Sequence, residues 1–192
     1  MTIDLTFKFA ETDDEIEQIH RLNYRTFVEE IPQHPPNPER RLVDKFHEEN
    51  SYCICLADQR LVGMITLRDR RPFSLDAKVP DLDRWLPAGA KLCEIRLLAV
   101  EPAYRGRTLF AQLLCFAATE GLRRGYTLGL ASGTLRQTKL YQHLGFVPFY
   151  QPVGAADARF QPMYLPLQAA LALLQKFQKS SSADLMEQAI KG

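Results

Sequence analysis

The chain has 192 residues, with 24 Lys+Arg against 23 Asp+Glu and a formal net charge of +1. That length favours one hydrophobic core, and the charge balance argues against a nucleic-acid coat or a polybasic membrane clamp, because both need a cationic surplus to displace counterions or hold anionic headgroups. No run approaches the roughly 18 apolar residues of a membrane span, and the acidic, polar N-terminus lacks the basic and apolar regions of a signal peptide, so a cytoplasmic protein without nucleic-acid or membrane partners is expected.

Thr6 to Ala10 alternates as a strand. Thr12 followed by Glu15 has the form of a capping box, and Ile16, Ile19, His20, Leu22, Tyr24, Phe27 and Ile31 recur at mostly helical spacing up to Pro32. Asn37-Pro38 resembles an N-cap with proline at the first helical position, which predicts a second short helix carrying Leu42, Val43 and Phe46. Tyr52 to Leu56 and Leu61 to Arg68 read as two strands joined by a tight turn at Asp58-Gln59. Residues 70 to 90 form a long loop with the single tryptophan, Trp85, and loops of this length inside a domain are usually functional or disordered.

Lys91 to Val100 is a nearly continuous apolar run with Glu94 and Arg96 embedded, the pattern of a central strand that carries a site. After Pro102 the residues Leu109, Leu113, Leu114, Phe116, Ala117 and Leu122 mark a long helix ending near Gly125. Residues 126–131 predict a strand, 134–144 a helix capped by Gly145, and 146–150 a further strand. A last strand at 159–167 is expected at an edge, because Pro162 and Pro166 cannot donate to a ladder. Residues 167–177 are helical in pattern, packing on the body or on a second copy to make a homodimer; Ser180-Ser181-Ser182 interrupts, and 183–190 suits one more short helix. The division expected is a main domain over 1–166 and a helical extension over 167–192.

Cys53, Cys55, Cys93 and Cys115 have no C-x-x-C spacing and read as buried free thiols, while His20, His34, His47 and His143 lack metal-ligand spacing, so no metal site is expected.

Chemistry concentrates around Ala99-Val100-Glu101-Pro102-Ala103-Tyr104-Arg105-Gly106-Arg107 and, about thirty residues later, Leu140-Tyr141-Gln142-His143-Leu144-Gly145-Phe146. A helix N-terminus offers unpaired N–H groups and partial positive charge, so Arg105 to Phe110 would cradle a phosphate-bearing ligand, with Arg105 and Arg107 adding full charges. Glu94 and Arg96, two apart on a strand, share one face and suit either a proton acceptor with its anchor or an ion pair.

These segments resemble the GCN5-related N-acetyltransferase superfamily, in which V-x-P-x-x-R-G-x-G-x-G/A joins a strand to a pyrophosphate-binding helix and Y-x-x-x-G-F supplies a tyrosine beside the thioester. The resemblance implies a single-domain α/β acyl-CoA N-acyltransferase fold with a mixed sheet of six to seven strands flanked by helices. It also implies transfer of an acyl group, acetyl foremost, from acetyl-CoA or another acyl-CoA to a small-molecule primary amine by direct attack. By that resemblance Tyr141 is the general acid, and Glu94 or a bound water is the base. Leu98, Ala99 and Val100 pair with the pantetheine arm, and Arg105, Gly106, Arg107, Thr108, Leu109 and Phe110 bind the cofactor's phosphates. Thr108 and Phe110 stand where the superfamily has small residues, so either the cradle is wider or Phe110 turns into the core and the donors survive.

A second set, Leu22-Asn23-Tyr24-Arg25-Thr26-Phe27-Val28-Glu29, Val43-Asp44-Lys45-Phe46, Gly63 to Arg68 and Glu94-Ile95-Arg96, resembles acyl-homoserine-lactone synthases and long-chain N-acyl amino acid synthases. That likeness implies an amino acid acceptor and the phosphopantetheine of acyl carrier protein as an alternative donor; Arg68 and Arg96 are the expected substrate-binding residues, and Arg68, Arg70 and Arg71 at the strand end could hold a substrate carboxylate. In this chain Asn23 replaces that family's first arginine, and its E-x-x-R becomes Glu94-x-Arg96. A catalytically silent binding protein on the same fold is the remaining alternative.

Overall fold

The computed structural model describes residues 4–105, 107–154 and 159–177. Seven strands form one sheet in the order β1-β2-β3-β4-β5-β7-β6, where β1 is Leu5–Phe9, β2 Ser51–Ala57, β3 Arg60–Arg68, β4 Leu92–Val100, β5 Leu128–Thr134, β6 Val147–Pro148 and β7 Phe160–Pro166. All pairs are antiparallel except β4 with β5.

The apolar runs are explained by cover on both faces. Six consecutive residues of β2, Tyr52 to Ala57, are buried. One face packs Tyr52, Ile54, Met64 and Ala99 against Ile19 and Leu22 of helix α1 (Asp13–Tyr24). The other packs Cys53, Cys55, Val62, Ile65 and Leu67 against Leu109, Leu113, Leu114 and Ala117 of helix α2 (Arg107–Arg123). This close packing requires Gly63, because a Cβ there would stand 2.9 Å from Leu113 Cδ1. Ala170 and Leu173 of the helical residues 167–177 enter the same core, so this part of the extension packs on the domain.

Helix α1 opens on the predicted capping box: Thr12 Oγ1 accepts from Glu15 N, and Glu15 Oε2 accepts from Thr12 N. It continues as a π-helical turn over Arg25–Glu30 and ends at Ile31. The predicted helix across Leu42 to Phe46 does not form; the segment is irregular until a short 3₁₀ turn, His47–Glu49. Asp44 competes with helix here, accepting from Phe46 N at 3.0 Å and pairing with Arg96.

The 134–144 helix divides into a 3₁₀ turn, Leu135–Gln137, and α3, Thr138–His143. The strand expected over 146–150 shortens to Val147–Pro148, since Pro148 has no N–H to continue a ladder. The proline-bearing last strand is not at the edge; β7 lies between β5 and β6, with Pro162 opposite Ser132 and Pro166 at its end. The serine run at 180–182 and the helix expected at 183–190 lie outside the described residues.

Cys53, Cys55 and Cys93 are buried free thiols as expected, whereas Cys115 is half-buried. Burial pushes Cys53 and Cys93 up to about 12 and Cys55 up to about 11, which keeps them protonated and unreactive.

Candidate active site

The site is built where the parallel pair separates. β4 and β5 pair only at Leu92↔Leu128, Cys93↔Gly129 and Glu94↔Leu130; beyond that β5 pairs with β7 alone. Opposite the opening, the β3–β4 register jumps from Thr66↔Arg96 to Met64↔Ala99, and Leu97 takes a left-handed conformation, φ 50°. Such a bulge bends the strand and re-aims its backbone groups. Residues 95–100 therefore present the edge facing β5 without a strand partner among the described residues, and Leu98, Ala99 and Val100 lie on it.

Helix α2 begins just past the end of this edge, after the 3₁₀ turn Pro102–Tyr104. Phe110 is half-buried, packs on the core and sets its ring edge-to-face with Tyr141 at 6.1 Å. It turns inward, and Thr108 beside it is exposed. Leu109 is buried in the core. The Arg105 side chain is already committed: Nε donates to Val100 O at 2.9 Å, and Nη2 donates to Glu30 Oε1 at 2.7 Å and Oε2 at 2.5 Å. It ties the π-helical turn to the end of β4. Gly106 is outside the described residues.

Tyr141 of α3 packs on Gly133, in the part of β5 that no longer pairs with β4. Its ring is held between Phe110 and Phe146, 5.1 Å away edge-to-face, and against Gly133 of β5, where a Cβ would meet the ring at 2.8 Å. Burial pushes the phenol up to about 12, so it is fully protonated at neutral pH.

Glu94 and the arginines form a connected buried group on the α1 face. Arg68 faces Glu94 across β3–β4, and Thr66 faces Arg96. Glu94 is 1% exposed; its Oε1 accepts from Ser74 Oγ at 2.5 Å and Leu75 N at 3.3 Å, and its Oε2 accepts from Ser74 N at 2.9 Å. Arg96 Nε lies 3.5 Å from Oε2 of Glu94, and Arg96 makes a two-pronged pair with Asp44, both bonds 2.9 Å. Asp44 is held below its ordinary range: burial pushes it up, but Arg96, Asn50 and the Phe46 N–H outweigh that.

Arg68 is 1% exposed, donates to Pro72 O, pairs with Glu49, and lies 3.8 Å over the ring of Phe46. Arg96 lies over the same ring at 4.8 Å. Ser74, Glu49 and Phe46 were not singled out as site residues from the sequence, because nothing in local spacing shows which loop folds back onto Glu94 or which ring lies under two guanidiniums.

The arrangement combines an open strand edge, a helix N-terminus, a protonated phenol and a buried, neutralised pair of arginines. Among the described residues no group of three or more His, Cys, Asp or Glu could hold a metal ion, and no helix is long and apolar enough to cross a membrane.

Comparison with known proteins agrees with this geometry. The family profile "N-acyl amino acid synthase FeeM" matches residues 18–165. The chain superposes on the structure of FeeM, an N-acyl amino acid synthase from uncultured soil microbes, with a TM-score of 0.73 at 18% identity, covering 91% of this chain and 98% of that one. It superposes on BjaI, a CoA-dependent acyl-homoserine lactone synthase, with a TM-score of 0.72 at 24% identity over 85% and 82% of the two chains. An acyl-CoA N-acyltransferase from Pseudomonas aeruginosa gives a TM-score of 0.60 at 20% identity over 85% and 99%. No curated protein matches the sequence.

Proposed function

The chain belongs to the N-acyl amino acid synthase FeeM family of N-acyltransferases, and from that premise we propose that it moves an acyl group from a pantetheine thioester, acyl-CoA first, to the primary amine of an amino acid. The observation that carries this reading is the parting of β4 from β5 after Glu94, with Tyr141 packed on Gly133 of the parted β5 and α2 starting just past the end of β4. The inward turn of Phe110 supports a fit for a phosphate-bearing carrier, since its ring packs on the core and on Tyr141 instead of over the start of α2. Arg105 contributes there by holding the segment, its own charge being shared with Glu30.

The carrier supplies the activated acyl group. Backbone N–H groups along Leu98 to Val100 bind the pantetheine arm and polarise the carbonyl, a role for which an unpaired strand edge is suited. Tyr141 gives its proton to the departing thiolate. Glu94 positions loop 70–90 through Ser74 and Leu75, and a water takes the proton from the attacking amine, because both carboxylate oxygens are already occupied. Arg68 exchanges its pairing with the half-exposed Glu49 for the acceptor's carboxylate, while Arg96, locked to Asp44, holds the wall.

An apolar pocket lies between β4, β5 and α2, lined by Leu67, Cys93, Ile95, Gly129, Ala117 and Leu165. Its volume of about 40 Å³ admits roughly three water-sized groups, which favours a short acyl chain. The test is thiol release and mass-spectrometric product analysis with acetyl-, butyryl- and octanoyl-CoA and octanoyl carrier protein against a panel of L-amino acids. Acylated amino acid with acetyl- or butyryl-CoA is expected. Carrier binding without any thiol release would refute the reading.

A further inference from the structure

The acceptor side of the site has two walls, and both are fixed to β4. Segment 42–50 is tied to Arg96 through Asp44, and loop 70–90 is tied to Glu94 through Ser74 and Leu75. Glu94 and Arg96 share one face of the strand two residues apart, which sets the two anchor points about 7 Å from each other. Each wall carries a lysine. Lys45 follows Asp44, and Lys78, whose backbone N–H donates to Leu75 O at 3.0 Å, sits on the turn that Leu75 opens.

The acids of both walls are already committed. Asp44 pairs with Arg96, Glu49 pairs with Arg68, and both oxygens of Glu94 accept from Ser74 and Leu75. In the loop, Asp76 and Asp83 pair with Arg71, and Asp81 pairs with Arg84. Glu48, the remaining acid of segment 42–50, lines the groove beside Phe9 and Arg124. Lys45 and Lys78 thus make no ion pair among the described residues, and both keep exposed surface.

These cations stand close together. Lys45 Nζ lies 4.6 Å from the centre of the Phe46 ring, which Arg68 and Arg96 approach at 3.8 and 4.8 Å, so the three charges lie within about 9 Å of one another. Lys78 joins them from the other wall. Its Nζ lies 5.4 Å over the ring of Phe160, which faces Thr134 in the part of β5 that has left β4. Burial lowers the Lys78 ammonium below its ordinary pKa; Glu94 works against that, and Arg96 and Lys45 add to it. Such an influence between charges fades beyond about 10 Å, which bounds the span between the two lysines.

Unpaired, partly desolvated cations gain from an anion. The carrier's phosphates are not that anion, because α2 starts past Val100, about 13 Å along the strand from Arg96. The acceptor's own α-carboxylate is taken by Arg68, which leaves the lysines for a second acidic group. In an acidic amino acid that group stands about 4–5 Å from the first, within reach of flexible four-carbon stems on either wall.

We propose that the acceptor is a dicarboxylic amino acid, L-glutamate or L-aspartate, whose side-chain carboxylate is held between Lys45 and Lys78. This rests on the acyltransfer reading and narrows its acceptor. The two lysines are then specificity-determining residues.

The test compares L-glutamate with L-glutamine and L-aspartate with L-asparagine, pairs alike in shape that differ by one charge. Thiol release with acetyl- and butyryl-CoA gives kcat/KM, and calorimetry without donor gives affinity. The acid of at least one pair is expected to be favoured about tenfold or more in both. Lys45→Gln and Lys78→Gln are each expected to cut that ratio about five- to tenfold, while Lys78→Arg, which keeps the charge, retains most of it. Both lysines are exposed, so these variants are expected to fold normally. Amides used as well as the acids, or an acid preference that both glutamine variants keep, overturns the proposal. Thiol release with neutral amino acids alone also overturns it and leaves acyl transfer standing. Lysine-dependent binding of the acid with no thiol release from any donor overturns acyl transfer and leaves the carboxylate site.

Discussion

Replacing Glu94 by glutamine separates a loop anchor from a proton acceptor. The carboxylate accepts three hydrogen bonds through two oxygens, while the carboxamide keeps only one accepting oxygen. If that oxygen stays with Ser74 N, the new NH₂ faces the Leu75 N–H; if it stays with Leu75 N and Ser74 Oγ, the NH₂ faces the Ser74 N–H. Either way one backbone donor loses its partner, at about 1–3 kcal/mol, and the surviving bonds lose their charge assistance. A total of about 2–4 kcal/mol is small enough for a domain to remain folded, and falls on the segment that depends on it. Amide exchange at Phe73 to Asp76 is expected to accelerate roughly 30- to 1,000-fold, with the acceptor KM raised and kcat reduced less. Ser74→Ala, which removes one of the three bonds and leaves the carboxylate, is expected to produce a weaker form of the same pattern. Unchanged exchange in Glu94→Gln together with a 100-fold or greater fall in kcat would refute the anchor argument and make Glu94 the base.

Tyr141→Phe is expected to lower kcat by about 10²-fold or more while leaving CoA affinity unchanged, measured by steady-state kinetics and calorimetry. Gly133→Ala, whose methyl group would press on the Tyr141 ring, is expected to lower kcat in the same direction with the phenol still present. Ile95→Ala widens the apolar pocket at the paired end of β4 and β5 and is expected to shift preference toward longer acyl-CoA donors, checked by comparing kcat/KM along a chain-length series. Acid unfolding gives a pH test of the α1 capping box: burial pushes Glu15 up, but bonds from Glu11 N, Lys8 and Thr12 N outweigh that and hold it at about 2 against an ordinary 4.5. The folded pKa is the lower one, so the stabilisation is complete above 4.5 and is lost as pH falls toward 2; Glu15→Gln is expected to flatten the stability slope in that window.

What could be read from the sequence follows the range of the interactions that decide it. The capping box of α1, the β2–β3 hairpin and the central β4 run are settled by residues within one or two turns of each other, and they stand within a few residues of their expected bounds. The expected helix over Leu42 to Phe46 failed for the opposite reason. Its local pattern was adequate, but Asp44 and Phe46 are claimed by Arg96 and Arg68, which lie in strands far along the chain. The same long-range pairing decides what the charged residues do. Arg105 reads locally as a free cation at a phosphate cradle, whereas Glu30, brought close by the π-helical end of α1, accepts from its Nη2 with both carboxylate oxygens, and Val100 O takes its Nε.

Phe110 shows how the two ranges combine. Its size at a position where the superfamily pattern has a small residue left two outcomes open, since steric bulk alone does not say on which side of a helix it is spent. Leu109, Leu113 and Phe116 make one side of α2 the core side, and Tyr141 and Phe146 supply an aromatic surface there for Phe110 to meet edge-on. A side chain that gains this burial has no reason to turn toward the N-terminal end of the helix. The ring that departs from the motif thus supports the tyrosine that fulfils it, and substituting Phe110 by glycine to restore the motif would remove one wall from Tyr141 rather than improve the cradle.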